Sequence, residues 1–134
     1  MLLEFKTKNY KSFVEEASFS MVAAPKQKGL DYSLMKTKIK GKEIKGLSSS
    51  VIYGPNAAGK TNIIGAMDVL RAIVLRGNIR NSEEKSSPNP AAAALELIPN
   101  NNEMELKPVC FEIEFYEEDG ENHKFKIHYE LEVD

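Results

Sequence analysis

The 134-residue chain has one cysteine and two histidines. Cys110 has no partner for an internal disulfide, and Cys110, His123 and His128 do not make a zinc-ligand spacing. No apolar run approaches the roughly 20 residues of a membrane span. In the opening "MLLEFKTKNY", Glu4 and Lys6 interrupt the place where a signal peptide needs an unbroken apolar core. These shortages exclude disulfide scaffolds, zinc ribbons and membrane-spanning folds, and the expectation is a cytoplasmic protein in a reducing compartment with no membrane partner. A strong charge of either sign is also lacking: the formal net charge is −2, with 42% hydrophobic and 28% charged residues, as in a soluble globular protein of at most one domain.

Against that background stands "GPNAAGKT", Gly54 to Thr61, which fits the phosphate-cradling pattern G-x-x-x-x-G-K-[ST]. Ordinary residue frequencies produce such a match in roughly one chain of this length in two hundred, so chance is a weak explanation. Its flanks agree with it. "SSSVIYG" before the loop is a short uncharged run, predicted to be a parallel strand buried on both faces. "KTNIIGAMDVLRAIVLR", Lys60 to Arg76, spaces Ile63, Ile64, Met67, Leu70, Ile73 and Val74 as a helix, ending at Arg76-Gly77. That helix is apolar nearly all round, which predicts cover on several sides.

The chemistry follows from the residue types. Gly54 and Gly59 let the backbone curl around an anion, and the N–H groups from Ala57 to Thr61 are expected to converge on phosphates at the positive end of the helix dipole. Lys60 supplies an ammonium for the β- and γ-phosphates and is the candidate catalytic residue; the Thr61 hydroxyl is the candidate ligand of Mg²⁺.

The rest of the chain reads as β-rich flanks. Residues 1–47 carry two predicted hairpins: "LLEFKTKNY" with "EEASFSMVA", joined by "KSF", and "KTKIKGKEIKGL", turning at Lys40-Gly41. Residues 48–76 hold the strand, loop and helix. Residues 77–100 read as a polar loop, "GNIRNSEEKSSPNP", followed by a short helix starting at Asn89-Pro90. Residues 101–134 alternate through Phe111, Ile113 and Phe115, turn at Asp119-Gly120, and alternate again through Phe125, Ile127, Tyr129, Leu131 and Val133, a long hairpin.

Charge is uneven. Residues 26–45 hold seven lysines against two acids, and residues 103–134 eleven acids against three lysines. Lys36, Lys38, Lys40 and Lys42 recur at period two, which on one strand puts four ammonium groups on a single face. The favoured reading is a solvated face that also guards a sheet edge; the minority reading is a strip contacting DNA. Glu117, Glu118 and Asp119 follow an apolar strand, as the carboxylates of a Walker B motif do. Glu112 and Glu114, however, alternate with the apolar residues and leave that strand one wet face, so the three acids read as a solvated turn.

"NYKSF", Asn9 to Phe13, followed by "GPNAAGKTN", Gly54 to Asn62, resembles the opening of SMC- and RecF-like ATPase heads. The spacing of these two segments with "FSMVA" and "FEIEFYEEDG" is similar to AAA-type ATPases related to the overcoming-lysogenization-defect (OLD) and abortive-infection proteins of prokaryotes. The resemblance implies an α/β fold: the N-terminal lobe of a P-loop NTPase, rich in β-hairpins, with one parallel P-loop strand followed by a buried helix. It implies that Gly54, Pro55, Asn56, Ala57, Ala58, Gly59, Lys60, Thr61 and Asn62 hold ATP and Mg²⁺, with Lys11 and Ser12 near the nucleotide. It implies two heads sandwiching ATP as a homodimer or higher oligomer, and a role in DNA repair or phage defence, with DNA and a nuclease as further partners. No Walker B strand, L-S-G-G-like signature or switch histidine occurs in these residues, so the expectation is the N-terminal portion of a longer head that hydrolyses ATP when complete. A module that binds nucleotide or protein without hydrolysis is the alternative, and a small nucleotide kinase is disfavoured by the hairpins ahead of the loop.

Overall fold

The computed structural model describes residues 1–25, 29, 31–56, 58–76, 98–100 and 107–133. The polar loop and the short helix expected after Asn89-Pro90 lie outside the described residues.

A four-stranded sheet forms the body. It consists of β1 (Leu2–Lys8), β2 (Ala17–Ser20), β5 (Val109–Glu118) and β6 (Lys124–Val133), in the order β2-β1-β5-β6 with every pair antiparallel. Period-two alternation sets its faces. Phe5 lies beside Phe19 and Ile113, Thr7 beside Phe111, and Leu131 beside Phe111 on one face. The other face is charged: Lys6 pairs with Glu112 at 2.9 Å and Lys126 with Glu114 at 2.7 Å. The wet face expected from Glu112 and Glu114 is therefore present.

The apolar face is covered by α1, Lys60–Arg76. Ile63, Ala66, Val69 and Leu70 join Phe5, Tyr10, Val109 and Phe111 in one buried cluster, with the Phe111 ring 6.5 Å from Phe5 and 6.0 Å from Tyr10. Only this stripe is covered. Ile64, Val74 and Leu75 stay exposed, Leu75 at 70%. The expectation that α1 is buried on several sides is thus corrected: the described residues provide a single sheet, and one sheet can take only one stripe of a helix.

A separate two-stranded ribbon is made by β3 (Leu34–Ile39) and β4 (Lys42–Leu47). It turns at Lys40 and Gly41 with φ of 48° and 79°, the two positive values that a tight hairpin turn requires. The Met21–Ala23 segment ties it to the sheet through Leu47 N–H to Met21 O at 2.7 Å and Ala23 N–H to Lys45 O at 3.0 Å. The turn divides the lysine row. Lys36 and Lys38 share a face with Lys45 and Glu43, Lys40 is in the turn, and Lys42 lies opposite Ile39 on the other face. Lys36 is further tied to Asp31 at 2.5 Å and Lys45 to Glu43 at 3.4 Å. Four aligned ammonium groups are not formed, because the hairpin expected at Lys40-Gly41 reverses the chain within the row.

The parallel P-loop strand is also corrected. Val51, Ile52 and Tyr53 form no strand, and Val51 and Tyr53 are 81% and 89% exposed. A strand buried on both faces needs parallel neighbours, each reached by a crossover of a dozen or more residues. Among the described residues every strand pair is antiparallel, and no strand pairs with Val51 to Tyr53.

Gly65 shows how closely the helix meets the sheet side: a Cβ there would lie 3.2 Å from the Tyr10 hydroxyl oxygen, and Tyr10 is buried. Gly65→Ala gains roughly 0.5–1 kcal/mol of helix propensity but presses on the hydroxyl of a buried ring, costing about 1–3 kcal/mol. The expected outcome in chemical denaturation is a net loss of about 1 kcal/mol for Gly65→Ala. Tyr10→Phe removes the clashing oxygen, so in that background the same change should be neutral or stabilising. A stabilising Gly65→Ala in the unmodified chain would contradict the contact.

Candidate phosphate-binding site

The segment from Gly54 to Asn62 leads into the N-terminus of α1. Gly59 caps it: its carbonyl accepts from Asn62 N–H at 2.9 Å and Ile63 N–H at 3.2 Å. Its φ of 82° is a left-handed value, and a Cβ there would lie 2.8 and 3.0 Å from two ring carbons of Phe13. The glycine is required twice over, by backbone and by neighbour. Asn62 then reaches sideways, its Nδ2 donating to Ser12 Oγ at 2.7 Å.

Ser12 and Phe13 stand on a turn held from several sides. Tyr10 and Phe13 exchange backbone hydrogen bonds of 3.0 and 2.8 Å. Lys11 N–H donates to Ile98 O at 2.8 Å, and Asn100 Nδ2 donates to Lys11 O at 2.7 Å. Asn9 Nδ2 donates to Lys107 O at 2.6 Å. Asn9 and Lys11 have φ of 54° and 49°. Left-handed backbone at two non-glycine residues costs energy that persists only where the surroundings fix it. The Asn9–Phe13 turn is thus built as a rigid support beside the loop.

Ser12, Asn56, Ala58, Gly59, Lys60, Thr61 and Asn62 line one open depression of about 440 Å³. Lys60 Nζ donates to the carbonyls of Gly54 at 2.8 Å and Pro55 at 2.5 Å, so the ammonium closes the loop upon itself. Ala58 N–H donates to Pro55 O at 3.3 Å. The first turn of α1 carries no acidic residue, and an anion there meets the helix dipole without a competing carboxylate. Ala57 lies outside the described residues.

Residues 49–134, well over half of the chain, match the family model described as "AAA domain, putative AbiEii toxin, Type IV TA system". The chain belongs to this family. No curated protein and no solved structure matches it. An AAA domain of this kind is an ATPase-type nucleotide-binding domain, and its relation to abortive-infection ATPases agrees with the resemblance drawn from the sequence.

The residues fit the nucleotide that an AAA domain takes. A cradle that a Cβ at Gly59 would obstruct, one ammonium, a helix N-terminus and the Thr61 hydroxyl are the donor set of a polyphosphate site. Among the described residues no group of three or more His, Cys, Asp or Glu could hold a metal. A Mg²⁺ here would therefore rest on Thr61, phosphate oxygens and water.

The acidic turn of the AAA domain is remote from this depression. The N-terminal end of β5 lies beside Lys8, next to the Asn9–Phe13 turn, and the ten residues of β5 carry the chain about 30 Å away before Glu118. Glu117 and Glu118 are exposed there. Asp119 accepts from the N–H groups of His123 at 2.8 Å and Glu121 at 2.9 Å, and these bonds, with His123 first, hold its carboxyl below the usual range. It is a turn-capping residue. In the described residues no helix is long and apolar enough to cross a membrane.

Two contacts lay outside what the residues alone could show: Phe13 beneath Gly59, and Asn62 to Ser12. They join segments about fifty residues apart, and no local periodicity carries such a signal.

Proposed function

We propose that this AAA domain binds ATP with Mg²⁺ through Gly54–Asn62 and is the nucleotide-binding lobe of an ATPase head akin to the SMC, RecF and OLD proteins. The observation that supports this most is the convergence of Gly59, Lys60, Thr61 and the start of α1 on one depression, with the Asn9–Phe13 turn closing its side. Lys60 neutralises phosphate charge, the amides at the head of α1 orient it, and Thr61 holds the metal. Bound Mg²⁺ supplies charge neutralisation at the phosphates.

Hydrolysis also needs a positioned water and a carboxylate or equivalent to orient it. The described residues bring none to the depression, since Glu117, Glu118 and Asp119 stand at the far end of β5. Nucleotide binding is therefore the activity proposed for residues 1–134. Turnover is assigned to a larger assembly, in which two heads sandwich ATP and act on DNA, with a nuclease as partner, in cytoplasmic defence against phage. The abortive-infection wording of the family description favours the defence role.

Thr61 tests the metal assignment. Thr61→Ser should bind MgATP within about threefold of the parent, whereas Thr61→Ala should lose about tenfold, and only when Mg²⁺ is present. Calorimetry with and without Mg²⁺ reads this, and equal magnesium dependence of the parent and Thr61→Ala would remove Thr61 as a ligand. In a steady-state assay the purified chain should show no ATP turnover above background. A rate near one per second that disappears with Lys60→Ala would show that a catalytic carboxylate is present after all.

A further inference from the structure

We propose that residues 91–97 of this chain, "AAAALEL", pack into the groove between the C-terminal half of α1 and the sheet, with Leu95 as the anchor. The inference is independent of the nucleotide reading. The groove holds about 420 Å³ and its walls are apolar: Met67, Val74 and Leu75 come from α1, and Phe115, Ile127 and Tyr129 from β5 and β6. Val74 and Leu75 are 57% and 70% exposed there. A contiguous apolar cleft of this kind calls for an apolar occupant, because removing its surface from water is favourable in proportion to the area.

The chain itself leads such an occupant to the groove. Residues 77–97 lie outside the described residues, and both of their flanks are fixed beside α1. At one end, Leu75 and Arg76 close the helix at the groove. At the other, the Ile98 carbonyl accepts from Lys11 N–H at 2.8 Å, and the neighbouring Tyr10 sets its hydroxyl oxygen 3.2 Å from a Cβ built at Gly65. The helix rises about 15 Å from Gly65 to Leu75, and seven residues cover roughly 10 Å as a helix and 23 Å when extended. The block that precedes Ile98 therefore reaches the groove in either conformation, and residues 77–90 are long enough to close the connection.

Composition selects 91–97 within that connection. Residues 77–90, "GNIRNSEEKSSPNP", hold a single large apolar side chain, Ile79, whereas "AAAALEL" holds four alanines and two leucines. As a helix with Pro90 in its first turn, the block puts Ala91, Leu95 and Ile98 on one face at i, i+4 and i+7, and its small residues let it sit close. Glu96, turned about 100° from Leu95, then lies at the rim. Arg71 of α1 lines the groove there and has no acidic partner among the described residues. The one acid of the block thus meets the one charged residue that lines the groove. Such packing also accounts for a helix that is apolar nearly all round while the sheet covers only one stripe of it.

The test is thermal unfolding of the full chain together with methyl NMR. Leu75→Ala puts a better helix former at a position that the described residues leave 70% exposed, so an open groove predicts no loss. With the groove filled, Leu75→Ala should lower the melting temperature by about 4–8 °C, and Leu95→Ser by a similar amount. The two losses should not add, because each variant empties the same contact. Ile79→Ser, outside the block, should stay within about 2 °C of the parent. In the unmodified chain, nuclear Overhauser contacts should join the Leu95 methyl groups to the rings of Phe115 and Tyr129. Absence of those contacts, unchanged melting in both Leu75→Ala and Leu95→Ser, or losses that add in full would overturn the assignment. A Leu75→Ala loss that depends on protein concentration, in a chain that sediments as a dimer and with Leu95→Ser silent, would overturn it too, since a second copy would then be the occupant.

Discussion

Lys60→Ala should weaken MgATP binding by roughly a hundredfold or more while leaving the free protein nearly as stable as before. Truncating one member of a charge-assisted contact costs on the order of 2–5 kcal/mol, and Lys60 is the ammonium of the site, whose remaining donors are neutral amides and hydroxyls. The same Nζ atom bonds the carbonyls of Gly54 and Pro55. Those bonds are solvent-exposed, so water replaces them at little cost and the fold should not notice. Ligand linkage gives the readout. At a nucleotide concentration a hundred times the dissociation constant, binding stabilises the native state by about 2.7 kcal/mol, visible as a rise in melting temperature. In Lys60→Ala that rise should vanish, and Lys60→Arg should not restore it, since a planar guanidinium cannot take the place of a compact ammonium between two carbonyls. A nucleotide-induced rise of equal size in parent and Lys60→Ala would show that ATP binds elsewhere.

What the sequence revealed of the fold follows the range of the forces involved. The antiparallel hairpins were legible because strand alternation and turn chemistry are local: Phe111, Ile113 and Phe115 alternate with wet residues, and Lys40-Gly41 has the residues a tight turn tolerates. Helix α1 was legible for the same reason, and the Lys60 to Arg76 span agrees with its apolar spacing. Val51 to Tyr53 misled, because an uncharged run shows what a strand could bury and says nothing about whether parallel neighbours stand beside it. The row from Lys36 to Lys42 shows how two local signals compete: period two holds along one strand only, and the turn expected at Lys40-Gly41 ends the strand in the middle of the row. In the site, the loop residues were legible as a pattern. The nearness of Ser12 came only through the family resemblance, and the contact of Phe13 with Gly59 was not legible, because it is a tertiary fact between distant segments.

Gly59→Ala should damage both the loop and the fold, which sets it apart from Lys60→Ala. Two costs coincide at one methyl group. The backbone at Gly59 has φ of 82°, where a residue with a Cβ is strained by about 1–2 kcal/mol. The new Cβ would also lie 2.8 and 3.0 Å from Phe13 ring carbons, with Ser12 Oγ at 3.5 Å. An aromatic ring is not the flexible end of a chain, and Phe13 is packed against the core cluster, so the strain passes into the Asn9–Phe13 turn and costs about 1–3 kcal/mol more. Chemical denaturation should show a total loss of about 2–5 kcal/mol, and MgATP binding should fall at least as far as in Lys60→Ala, because the amides at the head of α1 no longer converge. Pairing Gly59→Ala with Phe13→Ala separates the two costs. The smaller side chain relieves the collision but not the backbone strain, so the added cost of Gly59→Ala in the Phe13→Ala background should drop to the roughly 1–2 kcal/mol of φ alone. If Gly59→Ala costs the same in both backgrounds, Phe13 does not press on the loop, and the turn formed by Asn9 to Phe13 is a neighbour of the site rather than one of its walls.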